Sequence, residues 1–149
     1  MSKILFVCLG NICRSPLAHG IAEKISEKNS LGWTIDSAGT SDWHIGEAPC
    51  DHSIKVASDH QTDISTQRSR PITKEDIKIF DYVVAMDRQN KADMETFGFK
   101  NVHLLGDFAG YNGKDIPDPY FFDGFEGFEK VYTMVELCVS DFIGFVQRS

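Results

Sequence analysis

The run Cys8-Leu9-Gly10-Asn11-Ile12-Cys13-Arg14-Ser15 stands between an unbroken apolar stretch, Ile4-Leu5-Phe6-Val7, and a proline at position 16. An apolar run of that length reads as a strand covered on both faces, as in a parallel sheet. Ser15-Pro16 supplies a capping hydroxyl and a helix-opening proline directly after the loop. The first unit of the fold is therefore strand, tight loop, helix. Parallel neighbours need crossover connections, so this unit points to an α/β architecture.

The loop has its own chemistry. A short turn that curls back on itself aims successive backbone N–H groups into one concavity, and the helix start that follows adds roughly half a positive charge. An anion is the natural occupant. Cys8, at the end of the strand, is expected at the floor of that cup, where the amides and Arg14 favour the thiolate. Arg14 presents a planar fork able to hold two phosphoryl oxygens, which lysine cannot do. Ser15 is expected to donate its hydroxyl to the sulfur, and Gly10 and Asn11 to take left-handed backbone angles. The Cys-to-Arg spacing alone is common by chance. The strand before it and the Ser-Pro after it are what give it weight. A nucleotide-binding loop is a poor fit, because no Gly-Lys-[Ser/Thr] follows.

Phosphoryl transfer from an ester leaves an alkoxide or phenoxide, so a proton donor should complement the thiolate. Asp118, in Ile116-Pro117-Asp118-Pro119-Tyr120-Phe121-Phe122, is the best candidate. Its flanking prolines stiffen the segment and exclude helix, which presents one carboxyl on a rigid arm. A plain turn aspartate is the competing reading.

With these pieces the chain resembles the low-molecular-weight protein-tyrosine phosphatases over nearly its whole length. The Cys-(five residues)-Arg-Ser loop matches Cys8 to Ser15, and the late Asp-Pro-Tyr segment matches Asp118-Pro119-Tyr120. Between them, Asp36-Ser37-Ala38-Gly39 with Ser41-Asp42-Trp43 is similar to the family's pocket wall. Phe80 to Asp87 is similar to its third strand. The resemblance implies a phosphocysteine intermediate formed by Cys8, with Asp118 first as acid and then as base for water. The substrate is a tyrosine-phosphorylated protein, and no metal or organic cofactor is implied. It also implies that Leu9, Gly10, Asn11, Ile12, Cys13 and Ser15 line the phosphate site. Trp43 and Tyr120 would sandwich the phenyl ring, and Ser37 would be a hydrogen-bond partner of Asn11. A histidine that usually joins that network is replaced here by Gln67, and a second tyrosine after Tyr120 is replaced by Phe121.

A cysteine at the bottom of a narrow cup is reached by phosphate on a long aromatic stem more easily than by phosphoserine. Depth selects tyrosine. Trp43 reads as exposed rather than as core, because Ser41, Asp42, His44 and Gly46 around it make a loop. Two rival functions remain: an arsenate reductase on the same scaffold, which needs a further closely spaced cysteine pair, and a phosphotyrosine-binding module without turnover. No such pair lies between Cys50 and Cys138, and an intact Cys8, Arg14 and Asp118 speak against a silent module.

The 149 residues, with 42% hydrophobic and 25% charged, suit one domain over residues 1–149. A net charge of −7 argues against nucleic acid, and the apolar start is too short for a secretory core or a membrane span. The four cysteines, Cys8, Cys13, Cys50 and Cys138, lack zinc-like or disulfide-rich spacing, which suits the cytoplasm. Cys13 shares the loop with Cys8. A reversible disulfide between them would protect an oxidised nucleophile, provided their Cα atoms lie within about 7 Å; the alternative is a passive buried thiol. Cys50 and Cys138 read as structural bystanders. Oligomeric state is not legible.

Further along, strands are expected at 33–37, 81–86 and 102–105 and helices at 16–28, 49–60 and 88–97, with a short helix opened by Thr73. The last helix carries Phe128, Tyr132, Val135, Val139, Phe142 and Val146 at four-three spacing, with Asp123 and Glu126 as a capping pair. The segment 106–123 should face substrate. This alternation predicts a four-stranded parallel sheet of order 2-1-3-4 with helices on both faces and right-handed crossovers, a flavodoxin-like fold.

Overall fold

The computed structural model describes residues 1–119 and 125–149. The first strand, β1 (Lys3–Cys8), is followed by α1 (Arg14–Lys28), β2 (Thr34–Gly39) and α2 (Asp51–Asp59). Then come α3 (Lys74–Ile79), β3 (Tyr82–Ala85), α4 (Arg88–Phe97), β4 (His103–Leu104) and α5 (Glu126–Gln147). All strand pairs are parallel and the order is β2-β1-β3-β4, as the alternation predicts.

The pleat of β1 divides the core in two. Ile4, Phe6 and Cys8 face the cluster built by α1 and α5, whereas Leu5 and Val7 face Met94 and Phe99 on the other side. Helices thus cover both faces, which explains why the strand reads as a continuous apolar run. The α5 stripe is packing: Phe128, Tyr132, Val135, Val139, Phe142 and Val146 are all buried. The one polar atom in that stripe, the Tyr132 hydroxyl, is matched by Thr62 Oγ1 at 3.0 Å.

Two local expectations are revised. Helix α1 starts at Arg14 with Cys13 as its N-cap, so Ser15 and Pro16 lie inside the first turn. Proline is tolerated there because first-turn amides have no intrahelical acceptor. Helix α5 starts at Glu126 after Phe125, which places Glu126 at the first helical position rather than three residues in; Asp123 lies outside the described residues. The short helix opened by Thr73 holds as α3, where the Thr73 hydroxyl and the Asp76 carboxylate each accept the other residue's backbone N–H in a capping box.

The segment after β4 is pinned. Gly113 N–H donates to the Gly106 carbonyl at 2.9 Å, and Ile116 N–H donates to the Met86 carbonyl at 2.8 Å, just past the end of β3. A side chain at Gly106 would put its Cβ 1.6 Å from the Lys114 carbonyl oxygen, so the turn requires glycine. The arm that carries Asp118 is thereby brought to the carboxyl edge of the sheet. That edge is where open α/β sheets bind ligands.

Phe142 anchors this packing. Its ring meets Phe6, Tyr82 and Phe108 edge-on, at centroid distances of 6.3, 6.0 and 5.2 Å. Phe142→Ala is expected to lower unfolding free energy by about 3–5 kcal/mol in urea titration, because it leaves a cavity in the core between β1 and α5.

Candidate active site

The loop from Cys8 to Cys13 is shaped by what surrounds its carbonyls. Thr40 N–H donates to the Cys8 carbonyl at 2.9 Å, and Ser41 N–H to that of Leu9 at 3.0 Å. Ser69 Oγ donates to the Gly10 carbonyl at 2.9 Å, Cys50 N–H to that of Ile12 at 2.8 Å, and Ser53 Oγ to that of Cys13 at 3.2 Å. With those oxygens drawn outward, the amides turn the other way. The Asn11 N–H donates to Cys8 Sγ at 3.2 Å, and the N–H groups of Leu9, Gly10, Ile12 and Cys13 have no protein acceptor among the described residues. A concave group of unpaired donors is an anion site.

Asn11 has φ 57°, the left-handed angle expected of it, but Gly10 does not take such an angle. A Cβ on Gly10 would lie 3.0 Å from His44 Cδ2, a tight contact that a small shift of the partly exposed imidazole would relieve. Gly39 is more tightly constrained: a Cβ on it would sit 2.7 Å from the Leu9 carbonyl oxygen.

Cys8 is only 3% exposed. Its sulfur lies 3.1 Å from Ser15 Oγ, and that oxygen also accepts from Asn11 Nδ2 at 2.8 Å. A thiolate at this position has no proton to give, so toward it the Ser15 hydroxyl is the donor. Ser15 thus makes the contact expected of it from inside the helix rather than from the cap.

Arg14 is buried and gripped on one side. Its Nη1 donates to Asp87 Oδ2 at 2.6 Å and to the Ile116 carbonyl at 3.0 Å. Burial disfavours the guanidinium charge, but the Cys8 sulfur and the Asp87 carboxylate outweigh it and hold the group above its ordinary range. Among the described residues Nε and Nη2 have no protein partner, so two donors of the fork remain for a ligand. Asp118 is half-buried on the arm anchored at Ile116, and its charge acts on both Arg14 and Cys13.

Ser37 is not a partner of Asn11. Its Oγ pairs with His19 Nδ1 of α1 at 2.9 Å, so the hydroxyl is already engaged. The Asn11 side chain is fixed instead by Ser15 and by the Arg70 N–H, which donates to Oδ1 at 3.1 Å. Gln67, standing in the histidine's place, donates to the Pro16 carbonyl at 3.1 Å. Arg70 is itself held between Asp36 and Asp76, at 3.0 and 2.9 Å. The 65–70 segment therefore supports the loop through Ser69 and Arg70.

Trp43 is 69% exposed, and Leu9 and Ile45 are also exposed, at 39% and 62%. The Ser41 bond to Leu9 ties this wall to the loop. Tyr120 and Phe121 lie outside the described residues. The expected Cys8 partner, Cys13, is engaged elsewhere: its Sγ lies 3.0 Å from that of Cys50, so Cys50 is no bystander. Cys138 is on the buried face of α5, and burial with the nearby Asp141 pushes its thiol up to about 12. His52 packs edge-on against Phe125 and Phe128.

The family model for low molecular weight phosphotyrosine protein phosphatase matches residues 3–149. This chain belongs to that family. The pig low molecular weight phosphotyrosine protein phosphatase is 37% identical, with 95% of this chain and 93% of the pig protein aligned. Among solved structures, the Entamoeba histolytica protein tyrosine phosphatase superposes with TM-score 0.91 at 31% identity, covering 100% of this chain and 97% of the other. The Drosophila arginine phosphatase gives TM-score 0.91 at 31% identity, covering 99% and 98%. The flavodoxin-like expectation and the phosphatase class both hold.

Asp87 and Arg70 escaped the sequence reading. Asp87 follows β3 as Cys8 ends β1, so its place at the carboxyl edge was the available signal; Arg70 reaches carboxylates 34 and 6 residues away, which leaves none. Gly39→Ala should displace the loop at Leu9 and lower kcat/KM for para-nitrophenyl phosphate by ~10²-fold, with the circular dichroism spectrum unchanged. An unaltered rate would show that the loop does not depend on that contact.

Proposed function

We propose that this protein-tyrosine phosphatase works by transferring the phosphoryl group to Cys8 and then to water. The observation that carries the reading is the ring of loop amides, carbonyls drawn outward, around one sulfur. Phosphate oxygens accept from the N–H groups of Leu9 to Cys13 while Arg14 Nε and Nη2 grip two of them. That grip strengthens as charge spreads over the equatorial oxygens. Asp87 and the Ile116 carbonyl keep the guanidinium plane fixed, so little order is lost on binding.

Cys8 attacks phosphorus from below as Asp118 gives its proton to the departing phenolate. In the second step Asp118 takes a proton from water, and the Ser15 hydroxyl stabilises the sulfur as it leaves. Trp43 forms one wall for the phenyl ring, where aromatic contact adds ~0.5–1.5 kcal/mol. Tyr120 would form the other. No step calls for a metal, an organic cofactor or a reductant. Four reduced thiols suit the cytoplasm, and among the described residues no helix is long and apolar enough to cross a membrane. The net charge of −7 disfavours nucleic acid.

The likeness to the Drosophila arginine phosphatase makes phosphoarginine the competing substrate. An exposed Trp43 on the segment that Ser41 ties to the loop, with the sulfur buried, favours an aromatic stem. A phosphotyrosine peptide should therefore show the higher kcat/KM of the two, and the reverse order would overturn the tyrosine assignment.

Cys8→Ser is expected to abolish hydrolysis of para-nitrophenyl phosphate while calorimetry still detects phosphate binding; residual turnover would exclude Cys8 as nucleophile. Asp118→Ala should cost ~10²–10⁴-fold on phenyl phosphate and much less on the activated para-nitrophenyl ester. Equal losses on both would remove Asp118 as the acid.

A further inference from the structure

Cys13 and Cys50 are 37 residues apart in sequence, yet their sulfurs lie 3.0 Å apart. The loop and the start of α2 are tied together around this contact, by Cys50 N–H to the Ile12 carbonyl at 2.8 Å and by the Ser53 hydroxyl to the Cys13 carbonyl at 3.2 Å. Cys50 Sγ donates to Ser53 Oγ at 3.1 Å, so the Cys13 thiol donates to Cys50 and the proton chain runs Cys13 to Cys50 to Ser53. Hydrogen bonding to Cys50, with burial, pushes the Cys13 thiol up and keeps it protonated. Each cysteine is also the N-cap of a helix, α1 for Cys13 and α2 for Cys50. Two positive helix ends therefore meet at this pair, which favours a thiolate formed during exchange. Closing the sulfurs to a bond of about 2.05 Å needs only about 1 Å of approach.

We propose that Cys13 and Cys50 form a dithiol–disulfide site that accepts oxidation from Cys8, with hydrogen peroxide as the oxidant and Cys50 as the terminal thiol. The proposal rests on Cys8 being the reactive thiolate of the phosphatase reading. Peroxide oxidises Cys8 to a sulfenic acid and leaves as water. The Cys13 thiol displaces the sulfenic hydroxyl as a second water, forming a Cys8–Cys13 disulfide. Cys50, itself half-buried, then attacks Cys13 sulfur, releases Cys8 as thiolate and loses its own proton directly to solvent. Overall two thiols and one peroxide give one disulfide and two waters. Cys8 and Arg14 come out unchanged.

The inward-turning amides of the loop are untouched by this disulfide, because it lies on the outer side of Cys13, where the Ile12 and Cys13 carbonyls already face α2. Cys50 is half-buried and Cys13 is buried, so reduction is expected to begin at Cys50.

The test is to treat reduced protein with a stoichiometric portion of hydrogen peroxide, block remaining thiols by alkylation and map the disulfide by mass spectrometry. The expected product is a Cys13–Cys50 link with Cys8 alkylated and para-nitrophenyl phosphate turnover retained. The Cys50→Ser variant should stop at Cys8–Cys13 and lose turnover until dithiothreitol is added. A Cys8–Cys13 link in the unsubstituted protein, no link at all, or a Cys50→Ser variant that keeps its turnover overturns the proposal. The map of the unsubstituted protein decides the matter even where the variant does not fold. Absence of turnover in the reduced protein before peroxide would instead overturn the phosphatase role of Cys8.

Discussion

The structure depends on where a short run of carbonyl oxygens points. Five successive or near-successive oxygens from Cys8 to Cys13 are each taken by a donor from outside the loop: Thr40, Ser41, Ser69, Cys50 and Ser53. A peptide unit is planar, so fixing its oxygen on the outside fixes its N–H on the inside. The cup of donors is a consequence of the scaffold around the loop more than of the loop's own sequence. Gly39 matters for the same reason, because β2 must approach the Leu9 carbonyl more closely than any side chain allows.

The sheet supplies the second constraint. β1 lies between β2 and β3, and the ends of these strands deliver Cys8, Gly39 and Asp87 to one edge. Asp87 then serves two ends. One oxygen caps α4 through the Asn90 N–H at 2.7 Å, and the other fixes Arg14 at 2.6 Å. The cap orients the carboxylate that orients the guanidinium, and the Ile116 carbonyl completes the grip from the arm that bears Asp118. In the proposed mechanism the acid, the phosphate clamp and the nucleophile are thus referred to one rigid edge.

The helices and strands were legible because their physics is local. The alternation of apolar runs with helical stretches foretold the order β2-β1-β3-β4, and the α5 stripe is buried where the four-three spacing put it. Termini were less legible. A Ser-Pro pair resembles a helix start, yet α1 begins at Arg14, two residues before Pro16, since proline is as acceptable in the first turn as at its first position. The supporting network was the least legible part. Ser37 pairs with His19, and Arg70 joins Asp36 to Asp76, through contacts that no spacing in the chain announces.

By itself the sequence determined the strand-loop-helix unit, the pairing of Cys8 with Arg14, the sheet order and the arm that carries Asp118, since each follows from residue type and near-neighbour pattern. Tertiary structure alone decided which groups hold that unit in shape and which sulfur Cys13 meets. Cys50 and Cys13 come together because α2 is docked against the loop by bonds to the Ile12 and Cys13 carbonyls. Such docking is set by the closure of the whole core, and a sulfur's neighbour across 37 residues is written in no local pattern.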